Sequence, residues 1–151
     1  MAQVFVGYDS YGISGVDTEY IQFIFDMILS HTACPKDSEM GLVITSDEHN
    51  KSLNSQYRGK NKTTNVLSFS NDLVEENAPD VLEEDKNYLG DVYISYQQLN
   101  REAAQLKISL KERFVQLFIH GALHLIGFDH EEDVAAEAYE NLEDKIFNSV
   151  I

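Results

Sequence analysis

The segment from Ser109 to Gly127 constrains this chain more than any other. Ser109 followed three residues later by Glu112 is a capping box, and it opens a run carrying Phe114, Leu117, Phe118, Ile119, Leu123 and Ile126. Gly127 supplies the left-handed residue on which such a helix ends. A helix apolar around most of its circumference belongs inside a fold, so the rest of the chain is expected to pack around it. With 151 residues, the chain can bury about 68–70% of the surface its unfolded form exposes, enough for one core without a disulfide.

The other segments read as shorter elements. Val4 to Tyr8 and Gly41 to Thr45 have the make-up of strands, as do Val66 to Phe69 and Leu89 to Ser95. Asp17 can cap a helix whose apolar positions Tyr20, Ile21, Ile24, Phe25, Ile28 and Leu29 recur at helical spacing. Ser46 or Asp47 can cap a second helix through about Tyr57, and Ser95 a third through Leu106. A last acidic helix from about Glu131 to Phe147 closes the chain. Strands interleaved with helices predict an α/β fold with α+β character: a small mixed four-stranded sheet packed with helices, the His-bearing helix at its centre. No repeat, Gly/Ser linker or proline-rich tract divides residues 1–151, so a single domain is expected. Strand order is not readable at this level.

Charge and cysteine usage narrow the class. Eleven Lys and Arg against 26 Asp and Glu give a formal charge of −15, a field that repels polyanions unless the cations are gathered in one place. They are partly gathered. No acid occurs between His49 and Asn71, where Lys51, Arg58, Lys60 and Lys62 fall within twelve positions. That run reads equally as a solvated helix end or as a local positive site. Asp72 to Asp85 then holds seven acids and no base and reads as a mobile surface loop. Cys34 is the only cysteine, which excludes an intramolecular disulfide and a Cys-built zinc cage. The first basic residue is Lys36, so no signal peptide or presequence is expected, and no apolar run approaches a membrane span. The cytoplasm is the expected compartment.

Three of the five histidines fall within eleven residues. His120 and His124 are i and i+4 on the capped helix, which sets their Cβ atoms on one face about 5–6 Å apart. Gly127 lets the chain turn and return His130 toward that face, so three imidazoles can meet one metal at about 2.0–2.1 Å. With no fourth Cys or His at ligand spacing, one position stays open for water or substrate, the mark of a catalytic zinc. Zinc is favoured over nickel or copper by availability. His31 and His49 lack such spacing. The string overlays the H-E-x-x-H-x-x-G-x-x-H pattern of metzincin proteases, but Gly121 stands where the protease has its general-base glutamate. Asp129, the nearest carboxylate in sequence, can support a ligand imidazole or transfer protons.

The residues His120-Gly-Ala-Leu-His124-Leu-Ile-Gly127-Phe-Asp129-His130 resemble the signature of the YbeY family of bacterial metal-dependent endoribonucleases. Leu53-Asn54 to Tyr57-Arg58-Gly59-Lys60 with Thr64-Asn65-Val66-Leu67-Ser68-Phe69, and Leu89-Gly90-Asp91-Val92, resemble its other two motifs in family order. The likeness runs from about Gly41 to the C-terminus. Asn61, Thr63 and Ser70 depart from it, standing where the family has an Asp-x-Pro-Thr string and a later proline. The resemblance implies one zinc ion held by His120, His124 and His130, a single metal-dependent hydrolase domain, and cleavage of single-stranded RNA in ribosomal RNA maturation and ribosome quality control. Its essential arginine corresponds to Arg58, which could hold phosphate oxygens bidentately or pair with one of the many carboxylates. Lys60 and Lys62 would guide the strand. Ribosomal RNA, and ribosomal subunits with their proteins, are the expected partners; DNA and membranes are not. A zinc metallopeptidase-like hydrolase and a non-catalytic ribosome assembly factor are the competing readings.

Overall fold

The computed structural model describes residues 2–8, 12–58, 66–70, 87–127 and 133–151, with backbone alone for 56–58, 70 and 133–135. The elements run β1 (Gln3–Tyr8), α1 (Thr18–Ser30), β2 (Glu39–Thr45), α2 (Asp47–Arg58), β3 (Val66–Ser70), β4 (Tyr88–Ser95), α3 (Tyr96–Leu106), α4 (Leu110–Ile126) and α5 (Asp133–Val150). Each helix start expected from a cap has one. The side chains of Asp17, Ser95 and Ser109 accept from the backbone N–H groups of Tyr20, Gln98 and Glu112. Ser46 rather than Asp47 starts α2, its Oγ accepting from His49 N at 3.1 Å. At the other end of α4, Gly127 has φ 118° and donates to the carbonyls of Leu123 and His124. The Asp72–Asp85 loop expected from the sequence lies outside the described residues.

The four strands form one mixed sheet in the order β1-β2-β4-β3, parallel except for β3, which runs antiparallel to β4. β2 sits inside the sheet, and Met40, Gly41, Leu42, Ile44 and Thr45 are buried, as a strand covered on both faces requires. Val92 and Ile94 of β4 alternate with Tyr93, so they face opposite sides. On the Val92 side lie α1 and α4. Ile21, Ile24, Phe25 and Ile28 of α1 and Phe114, Val115, Phe118 and Ile119 of α4 are at most 1% exposed, in one core with Met40, Leu42, Val92 and Ile94. On the Tyr93 side lies α2, with the ring of His49 edge-on to Tyr93 at 6.1 Å and its Nδ1 bonded to Thr45 Oγ1 at 2.7 Å.

Helix α4 is therefore the central layer, with the sheet on one side and α5 on another. Its approach to the sheet depends on Gly121. A Cβ built there would lie 2.9 Å from Val92 Cγ1, 3.1 Å from Val66 Cγ2 and 3.3 Å from Ser68 Oγ. Ser68 Oγ also donates to the Gly121 carbonyl at 3.2 Å, tying β3 to the helix. Tyr139, Ile146 and Val150 form the buried stripe of α5, and Tyr139 donates from its hydroxyl to the backbone carbonyl of His120.

Candidate functional site on the central helix

His120 and His124 occupy successive turns of α4, near its C-terminal end. The imidazole of His120 is partly buried between two side chains of α5. Tyr139 lies against it with ring centroids 5.2 Å apart and planes tilted by 33°. The carboxylate of Glu143 meets Nδ1, with both oxygens at 3.3 Å. A carboxylate only accepts, so in the neutral ring the proton resides on Nδ1 and the lone pair on Nε2. His124, a turn later, is exposed. A cavity of about 510 Å³ opens between α4 and α5, lined by Arg113, Gln116, His120, Glu143, Asp144 and Phe147 among others. Arg113 is held by Glu102 and Gln116.

Of the expected site residues, the structure sets His120 and His124 on one stretch of helix. Arg58 is the last residue of α2, and its side chain is outside the described part. Lys60, Lys62, Asp129 and His130 also lie outside the described residues, as does most of the basic run. Among the described residues, no three His, Cys, Asp or Glu side chains come together as a metal-binding group. The donor set still suits a divalent ion. Two imidazoles lie a turn apart, and a carboxylate stands at Nδ1 of one of them, the kind of partner found around metal-bound histidines. His31 and His49 stand elsewhere, with Nδ1 bonded to Met27 O and to Thr45 Oγ1.

Two residues that matter to this site escaped the sequence reading, Glu143 and Tyr139. The signal was present: Tyr139, Glu143, Ile146 and Val150 are spaced as one helical stripe, so a partly exposed acid falls in line with the residues α5 buries. Gly121 also acquires a physical meaning. The position filled by glutamate in metzincins faces the sheet here, and a side chain on it would run into Val92 and Val66. Asp91 of the third motif lies over Gly41 of β2, where a Cβ would fall on its Oδ1, and it accepts from the Tyr88 hydroxyl. Burial, and then this bond, push the Tyr88 phenol well above its ordinary range.

The fold and the site together define an α/β protein with a mixed sheet whose central helix carries a histidine pair, His120 of which is partnered by a carboxylate. Residues 14–151 match the family model of Endoribonuclease YbeY, and the chain belongs to that family. The match reaches back beyond about Gly41, where the likeness legible in the sequence begins, and takes in α1 and the start of β2. An Endoribonuclease YbeY from Acinetobacter baylyi is 38% identical over 128 residues, 84% of this chain and 79% of that protein. Another, from Acinetobacter baumannii, is 40% identical over 124 residues, 82% of this chain and 77% of that one. The solution structure of TM1509 from Thermotoga maritima is similar in fold, with a TM-score of 0.62 over 99% of this chain and 89% of that chain at 23% identity.

Proposed function

We propose that this protein is a metal-dependent endoribonuclease that cleaves single-stranded RNA in ribosomal RNA maturation and ribosome quality control. The observation that carries the reading is the family match over residues 14–151, whose curated relatives are endoribonucleases by name. The histidine pair on α4 supports the metal-dependent part of that reading. His120 and His124, with His130 from the five-residue connection between Gly127 and Asp133, would hold one zinc ion. Such an ion supplies Lewis acidity and an activated water for phosphodiester hydrolysis. Arg58 holds non-bridging phosphate oxygens and offsets the charge that develops on them, while Lys60 and Lys62 lead the strand in. Asp129 supports a ligand imidazole or the backbone of the turn.

The protein works as a single domain, in the cytoplasm, and its substrate reaches it on or near ribosomal subunits. Among the described residues no helix is long and apolar enough to cross a membrane. The metallopeptidase reading lacks a seat for its general base, because position 121 is packed against β3 and β4. Binding without chemistry remains distinguishable by experiment. The test is cleavage of an unstructured RNA by purified protein. Activity abolished by chelation, absent from identically prepared His124→Ala and reduced about 10²–10³-fold in Arg58→Ala is the expected result. Undiminished cleavage by either variant would remove the mechanism. Cofractionation with ribosomal subunits and no cleavage would favour the assembly factor.

A further inference from the structure

We infer that Glu143 is a positioning residue: its carboxylate fixes the tautomer and orientation of His120, so that Nε2 is presented to the metal. The inference rests on the metal-site reading above and goes beyond it, since nothing in the histidine motif points to α5. Glu143 falls on the stripe with Tyr139, Ile146 and Val150, which are 1%, 0% and 7% exposed. Its own side chain is 22% exposed and lines the cavity, so the carboxylate is partly desolvated and gains from a partner. His120 is such a partner, its Nδ1 standing 3.3 Å from both oxygens. Both components of the clamp come from one helix. Tyr139, one turn before Glu143, covers the ring face and bonds the His120 carbonyl, so backbone, ring plane and Nδ1 are held together. Arg113, the cation lining the same cavity, is engaged with Glu102 and Gln116.

Neutral histidine in water favours the proton on Nε2, the tautomer that closes that nitrogen to a metal. Glu143 reverses the preference before any ion arrives. Removing such a partner typically costs about 10- to 100-fold in metal affinity. The experiment has two readouts on the whole chain without a histidine tag. Nitrogen-15 spectra of metal-free protein at about pH 8, where an ordinary histidine is neutral, report the His120 tautomer. Zinc competition against a chromophoric chelator reports affinity. Wild type is expected to carry the proton on Nδ1. Glu143→Ala should shift it to Nε2 and weaken zinc binding about 10- to 100-fold; Glu143→Gln, which keeps an acceptor oxygen, should fall between. Wild-type His120 protonated on Nε2, or Glu143→Ala binding zinc as tightly as wild type, overturns the inference while leaving the metal site standing. If wild type binds no zinc, or His120→Ala and His124→Ala bind it equally well, the metal-site reading itself fails.

Discussion

Gly121 separates this protein from the proteases whose histidine spacing it shares. A Cβ at this position would press on the side chains of Val92, Val66 and Ser68, so no larger residue fits unless these side chains or their strands shift. Gly121→Glu, which restores the metzincin string, is expected to lower the unfolding free energy by about 3 kcal/mol or more, through overpacking and an unpaired buried charge, and to yield no peptidase. Urea denaturation checks this; a stable variant would contradict the packing. Tyr88 makes a second residue-level prediction. Its phenol, desolvated and bonded to Asp91, holds its proton more tightly folded than unfolded. The folded state then binds more protons above the ordinary tyrosine range, so stability is intact below about pH 10 and falls as pH rises past it. Tyr88→Phe should flatten that alkaline slope in urea midpoints taken between about pH 9 and 11. An unchanged slope would assign it to other groups. The histidines and Gly121 were legible as a pattern because helical periodicity is local. Glu143 was not, because its partner lies 23 residues upstream and only folding brings the two together.

At the scale of elements, the starts and stops were the most readable features. Asp17, Ser95 and Ser109 cap the helices that follow them, and Gly127 ends α4 with a positive φ. These are bonds between residues three or four apart, so sequence neighbours determine them. Ser109→Ala is expected to cost about 1 kcal/mol, read by thermal or urea unfolding, because Glu112 N then loses its acceptor. A loss near zero would mean that packing alone sets the start of α4. The strands were found as segments, but not their order. That β2 pairs with β4 and β3 turns antiparallel onto its outer side depends on contacts such as Ser68 to Gly121, which join residues far apart in the chain. Helix α5 begins at Asp133 in the described residues and runs on to Val150, beyond the Phe147 expected for the last acidic helix, because Val150 packs into the core and its carbonyl accepts from Tyr20 Oη.

For the molecule as a whole, a charge of −15 has to coexist with a polyanionic substrate. The acid-free run around Arg58, Lys60 and Lys62 is where we propose that conflict is relieved, and the prediction is a small salt dependence. Three phosphate contacts on a single strand give a slope of about −2 in log affinity against log salt, and Arg58→Ala should reduce it by about 0.7. A slope unchanged by that variant would move the phosphate contact elsewhere. The fold supplies the rest: a central helix anchored by the sheet on one side and α5 on the other carries the histidines on a rigid element, as a precise site requires. Metal content tests the site most directly. Protein purified without a histidine tag or chelator should hold one zinc per chain by elemental analysis, with the metal gone from His120→Ala and His124→Ala. A wild-type protein without stoichiometric metal, or variants that retain it, would contradict the metal-site reading.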